Sequence, residues 1–180
     1  MSTELPSRPR ALISTAQVTI VASTYNEKYT SALLENCIAE LHECGERIVV
    51  NVVRVPGAFE VPVTVKRAIV NSNSLERPDV VIALGVILRG STAHADLIGT
   101  AVTNQLLSIS CETLVPVIHE VLLLDDEQQA FARCVASALN RGREAARAAV
   151  SMLYMLEEKA ELNSQLRRNA NVNRMGTIIH

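Results

Sequence analysis

Tryptophan is absent from this 180-residue sequence, and only three tyrosines and two phenylalanines are present. Stacking platforms for nucleic-acid bases are therefore scarce, and each aromatic beside a polar segment carries more weight than usual. An excess of one charge is missing too. Against 17 Lys and Arg stand 19 Asp and Glu, which leaves no concentrated positive charge for a phosphate backbone. No apolar run is long enough to span a bilayer. Met1–Arg10, with Pro6 and Pro9, holds no signal-peptide core. The four cysteines, Cys37, Cys44, Cys111 and Cys134, lack a close metal-ligand spacing. They read as small buried hydrophobes in a reducing compartment. These absences predict a cytoplasmic protein that binds neither nucleic acid nor membrane and carries no metal.

What the chain does have is apolar residues, 48% of the total, enough for one well-packed domain. Residues 1–15 read as an arm outside the core, 16–160 as the domain and 161–180 as a polar tail. The end, Asn163–His180, is asparagine-rich before Ile178-Ile179 and reads as loose. Gln17–Ser23 predicts a first strand, followed by Thr24-Tyr25-Asn26-Glu27. Thr30-Ser31 begins a helix with Leu33, Leu34, Cys37, Ile38 and Leu41 on one face and Gly45 as its stop. Ile48–Val55 is the second strand. It runs into the turn Pro56-Gly57 and Ala58-Phe59-Glu60, then a helix striped by Val61, Val65 and Ile69. Asn71–Ser74 is a polar loop. Val80–Leu88 is an unbroken apolar run, as suits a strand covered on both faces. It ends in Arg89-Gly90-Ser91-Thr92-Ala93-His94, before a helix predicted from Asp96. Val115–Leu122 is the fourth strand, with Pro116 at its start. Asp125-Asp126-Glu127 caps a helix that carries Arg133 and packs Ala130, Phe131, Cys134 and Leu139. Asn140-Arg141-Gly142 interrupts it, and a long helix follows over Arg143–Leu162. The alternation predicts an α/β fold, a three-layer sandwich around a four-stranded, mostly parallel sheet.

Ligands in such sheets bind at the carboxyl ends of the strands. Here that edge collects Tyr25, Phe59, Glu60, Val86 to Thr92, His94 and His119. The small residues Gly90-Ser91-Thr92 let backbone amides approach an anion, and a helix start favours negative charge. His94 is either a proton-transfer group working near neutral pH or an ordinary helix-start histidine. Tyr25 faces either a ligand or the core. Glu60 either complements a helix dipole or accepts hydrogen bonds from ligand hydroxyls.

Several of these pieces together resemble the 6,7-dimethyl-8-ribityllumazine synthase family, which performs the penultimate step of riboflavin biosynthesis. They are Pro56-Gly57-Ala58-Phe59-Glu60, Gly85-Val86-Ile87, Arg89-Gly90-Ser91-Thr92-Ala93-His94 and Val115-Pro116-Val117-Ile118. Further along come Glu127-Gln128-Gln129-Ala130 with Arg133, and Asn140-Arg141-Gly142 with Glu144-Ala145-Ala146. All stand in family order from about residue 16 to 158. The resemblance implies a flavodoxin-like sheet and a transferase. The family condenses 5-amino-6-(D-ribitylamino)pyrimidine-2,4-dione with 3,4-dihydroxy-2-butanone 4-phosphate, releasing phosphate and water. It implies no redox cofactor and no metal.

Residue roles follow from the same resemblance. His94 is the proton-transfer residue. Arg133, with Ser91 and Thr92, binds phosphate. Tyr25, Asn26, Ala58, Phe59, Glu60 and the Val86-Ile87-Leu88 backbone hold the pyrimidine and its ribityl chain. His119 and Arg141 reach the substrate from a neighbouring subunit, because family sites form between adjacent subunits of a homopentamer. The resemblance leaves open whether pentamers assemble further into decamers or sixty-subunit shells. This chain also departs from the family. Tyr25 replaces a phenylalanine or tryptophan, His119 a phenylalanine, Glu120 a glycine and Arg141 a lysine. Ala95 replaces an aromatic beside the histidine, and Leu123-Leu124 a threonine pair. The departures keep two alternatives in view: a non-catalytic lumazine- or flavin-binding paralogue, and a shell-forming structural relative.

Overall fold

Four apolar runs pair side by side as parallel strands in the computed structural model, which describes residues 5–12, 14–73 and 76–176, with side-chain surroundings as far as Arg168. They are β1 (Ala16–Ser23), β2 (Ile48–Val55), β3 (Val80–Leu88) and β4 (Val117–Leu124), in the order β2-β1-β3-β4. Every pairing is parallel, so the sheet expected to be mostly parallel is wholly so. Helices α1 (Glu27–Cys44), α2 (Val61–Val70), α3 (His94–Thr113), the single-turn α4 (Glu127–Ala130) and α5 (Arg141–Gly176) complete the chain.

Side chains alternate across a strand with a period of two, and both faces of β1 and β3 are covered. Val18, Ile20, Ile82 and Leu84 pack against Leu33, Cys37 and Leu41 of α1 and Ala145, Ala149 and Val150 of α5. Val21, Val81, Ala83 and Val121 pack on the other face against Val65 and Ile69 of α2 and Val102, Leu106 and Ile109 of α3. That is why the Val80–Leu88 run carries no polar alternation. Leu33, Ile82 and Leu84 are fully buried, and each contributes about 1.5–3 kcal/mol through burial.

Several boundaries differ from expectation. Helix α3 starts at His94, two residues before Asp96. Strand β4 starts at Val117 rather than Val115. Pro116 has no N–H for a ladder, though its carbonyl accepts from Val81 N at 2.9 Å. Asp126 caps α4 by accepting from Gln129 N at 2.7 Å, but the expected helix lasts one turn. It widens into a π-turn over Phe131–Val135. Phe131, expected to pack inside, is 50% exposed, while Ala130 and Cys134 are buried. Helix α5 begins at Arg141, and it continues to Gly176 where a loose tail was expected. Its later residues include Glu161, Leu162, Gln165, Leu166 and Arg167, all good helix formers.

The segment before β1 is held more closely than an arm outside the core. Leu12 is buried with the α1/α5 residues. Arg8 and Arg147 both donate to Glu40 Oε1, at 2.7 and 2.8 Å. Burial pulls the Glu40 carboxyl up, but the two guanidinium bonds outweigh it and hold its pKa below the usual range. Met1–Glu4 and Ile13 of the expected arm, Ser74 of the loop, and the Ile178-Ile179 end lie outside the described residues. Among the described residues no helix is long and apolar enough to cross a membrane.

Candidate active site

The strand order reverses between β1 and β3, since β2 lies outside β1 on one side and β4 outside β3 on the other. A crevice opens at such a switch point, beyond the carboxyl ends of the strands. Pairing of β3 with β1 ends at Ala22–Leu84, while β3 stays paired with β4 as far as Leu88–Leu124. The Val86–Leu88 backbone therefore leaves β1 behind and borders a cleft of about 480 Å3.

Loops after three strands close this cleft. Thr24 N donates to Val55 O at 2.8 Å and Tyr25 N to Pro56 O at 2.9 Å, which joins the ends of β1 and β2. Asn26 adopts a left-handed conformation, φ 57°, which asparagine tolerates better than most residues. Its Nδ2 donates to Val86 O at 2.8 Å. The ring of Tyr25, 70% exposed, leans on Gly57. A β-carbon at Gly57 would stand 3.0 Å from Tyr25 Cδ2 and 2.9 Å from Glu60 Oε2. A side chain there would displace the Glu60 carboxylate and press on the Tyr25 ring. Glu60 Oε2 accepts from Gly57 N at 2.9 Å, so the capping and ligand-binding readings of Glu60 are compatible. One carboxylate oxygen holds the turn; the other has no hydrogen-bond partner among the described residues. Phe59 is 61% exposed at the rim.

The third wall is the Arg89–His94 loop. Gly90, Thr92 and His94 line the cleft with Ala95 and Ile98; Ser91 is exposed in the same turn. His94 is the first residue of α3, and its N–H reaches Thr92 Oγ1 at 3.4 Å. Arg89 braces the loop. Its Nε and Nη2 donate to Asp96 Oδ1 at 3.2 and 2.7 Å, and its Nη1 donates to Asp125. No role for Arg89 was legible in the sequence, because its partners come from two other elements.

Three sequence-predicted residues stand apart from this cleft. His119 lies on β4 opposite Ala83 and faces α3. Its Nδ1 accepts from Val121 N at 3.0 Å and its Nε2 stands 2.8 Å from Thr103 Oγ1. Thr103 Oγ1 donates onward to Gly99 O at 2.8 Å. This chain of bonds selects the neutral tautomer protonated on Nε2, and burial likewise lowers the His119 pKa. Arg133 sits on the partly exposed π-turn beyond β4. Arg141 is buried within the chain, where it pairs with Glu144. Close by, the carboxyl of Glu120 has its pKa pushed up to about 7. Burial is the main cause; Arg141 pulls it back and Glu144 adds to the rise. Among the described residues no group of three His, Cys, Asp or Glu side chains is placed to hold a metal ion.

A second, apolar depression of about 360 Å3 lies between α2 and α3, lined by Phe59, Pro62, Val63, Lys66, Ala101, Val102, Gln105 and Ile109. Phe59 belongs to both hollows. Exposed Val63, Leu97 and Leu107 extend the apolar character of these two helices.

The family model described as 6,7-dimethyl-8-ribityllumazine synthase matches residues 15–157. Proteins of that name are similar over most of their length. One from Nitrobacter hamburgensis is 36% identical over 157 residues, 87% of this chain and 95% of the relative. One from Edwardsiella ictaluri is 40% identical over 144 residues, 79% of this chain and 90% of the relative. One from Protochlamydia amoebophila is 34% identical over 153 residues, 84% of this chain and 87% of the relative.

Proposed function

Because the chain belongs to the 6,7-dimethyl-8-ribityllumazine synthase family, we propose that the switch-point cleft condenses 5-amino-6-(D-ribitylamino)pyrimidine-2,4-dione with 3,4-dihydroxy-2-butanone 4-phosphate. The observation that carries this reading is the convergence of Tyr25, Phe59, Glu60, the Val86–Leu88 edge and His94 on one cleft. The strand edge offers backbone donors and acceptors to the polar rim of a pyrimidine. Tyr25 and Phe59 offer ring faces. The uncommitted oxygen of Glu60 suits the ribityl hydroxyls.

The reaction needs proton transfers at several points. The arylamine adds to the ketone and loses water to give an imine. Loss of a proton beside the imine and departure of phosphate follow. Phosphate loss leaves an enol, which takes up a proton at its terminal carbon and becomes a carbonyl, and the second amine closes the ring on that new carbonyl with loss of another water. His94, exposed at the cleft rim, carries protons to and from these centres, a role generally worth about 10²–10⁴-fold. Phosphate departs as charge develops on it, so amides of Gly90-Ser91-Thr92 and a guanidinium fork stabilise that step.

The guanidinium comes from a neighbouring copy in this reading. Arg133 and His119 are separated from their own chain's cleft, while Phe59, Val63, Leu97 and Leu107 present an apolar surface beside it. A homopentamer, alone or built into a larger assembly, would bring His119 and Arg133 of one copy to the cleft of the next. Four free cysteines, three of them buried, agree with a cytoplasmic site of action. The test is incubation of the purified protein with both substrates, following lumazine absorbance and released phosphate. Both products should appear in equal amounts. A folded protein that forms neither product overturns the proposal.

A further inference from the structure

We infer that Asn140 is a positioning residue for Arg133, holding the phosphate-binding arginine through both faces of one buried amide. This rests on the reading of Arg133 given above.

Asn140 is fully buried. Its Oδ1 accepts from Gly142 N at 3.0 Å and from Arg143 N at 3.3 Å, and its carbonyl accepts the first helical bond, from Glu144 N at 3.1 Å. That is an N-cap of α5. A serine or aspartate would cap equally well, so the cap alone does not explain asparagine. The other half of the amide does. Nδ2 donates to Cys134 O at 2.7 Å and to Ala136 O at 3.4 Å, gripping the π-turn directly after Arg133. Two donor hydrogens and two acceptor lone pairs are all used. Of the four preferred N-cap residues, only asparagine carries its acceptor and two donor hydrogens on separate atoms, one for the helix and one for the turn.

The grip matters because the turn has little regularity of its own. π-turns are rare and concentrate at functional positions. This one is closed by Ala136 N donating to Phe131 O at 3.0 Å, and Ala136 is already extended. The other end of the clamp is rigid. A β-carbon on Gly142 would stand 2.2 Å from Leu33 O, so the start of α5 is pressed onto the α1 backbone. Asn140 transmits that fixed reference to Arg133.

The experiment compares Asn140→Asp, which keeps the capping oxygen and loses both donor hydrogens, and Asn140→Ser, which keeps a capping oxygen but has one shorter hydroxyl in place of the two Nδ2 donations, with Arg133→Ala and the double variants. Michaelis constants are measured for each substrate. Asn140→Ser is expected to raise the KM of the phosphate substrate about tenfold, the scale of one lost buried hydrogen bond, and to leave the pyrimidine KM within about twofold. Asn140→Asp, of the same shape as the native residue, should show the same split. With Arg133→Ala already present, neither change should raise the phosphate KM further. Equal losses for both substrates, or an undiminished loss in the Arg133→Ala background, would show Asn140 to be a helix cap alone. If Arg133→Ala impairs phosphate use and the Asn140 variants do not, the inference fails and the Arg133 reading stands. If Arg133→Ala itself spares the phosphate substrate, both fail.

Discussion

The side-chain amide of Asn26 donates to the Val86 carbonyl at 2.8 Å, joining the end of β1 to the part of β3 that β1 no longer flanks. It ties two walls of the cleft together, and Asn26 is itself part of the lining. Asn26→Gly keeps access to the left-handed backbone and removes the bridge. The pyrimidine KM should rise about five- to tenfold with a stability loss of about 1 kcal/mol. An unchanged KM in a normally folded variant would remove Asn26 from the binding site.

His94 is exposed and takes no part in the core, so replacing it should alter chemistry and little else. His94→Ala is expected to lower kcat by about 10²–10⁴-fold with melting temperature and oligomeric state preserved. Stopped-flow and sedimentation measurements on the same sample would check both halves. Undiminished turnover would exclude the proton-transfer role.

For His119 the neutral tautomer matters more than the charge. His119→Phe substitutes a ring of similar breadth but loses the Val121 and Thr103 bonds. If the ring closes over substrate in a neighbouring copy, pyrimidine affinity should be kept or improved. Titration of the pyrimidine in the absence of the second substrate measures this, and a large loss of affinity would point to a specific imidazole contact instead.

Glu120 makes stability pH-dependent in an unusual direction for a carboxylate. Its pKa is raised from 4.5 to about 7, so between those values the folded chain holds a proton that the unfolded chain has released. Its contribution is complete below the lower value and is lost as pH rises through the upper one. The loss is on the order of 3 kcal/mol. Urea unfolding at pH 5 and pH 8 should show Glu120→Gln matching the parent at the lower pH and exceeding it at the higher. An equal difference at both would refute the titration.

Much of the sheet was legible because period-two burial and unbroken apolar runs are local signals. Ile48–Val55 and the Val61, Val65, Ile69 stripe appear in the structure as read. The cleft residues after β1, β2 and β3 were legible for the same reason, since each follows a recognisable strand. The region beyond β4 was not. A helix that widens to a π-turn after one turn leaves no i,i+4 pattern, so Phe131 was assigned inward when half of it is exposed. Asn140 was read as an interruption because its hydrogen bonds run in two directions across a turn that periodicity does not describe. Arg89 escaped because Asp96 and Asp125 meet it only in three dimensions.

Phe59 is a wall of the switch-point cleft and also of the apolar depression between α2 and α3. One rotamer thus serves two tenants. Whatever free energy a ligand spends or gains in moving that ring is felt by anything packed against the helices, and the effect is reciprocal by linkage. If a second copy covers the depression and the pyrimidine enters the cleft, as proposed, assembly and binding share a degree of freedom, and a dilution series run with and without the pyrimidine becomes a measurement of affinity as well as of size.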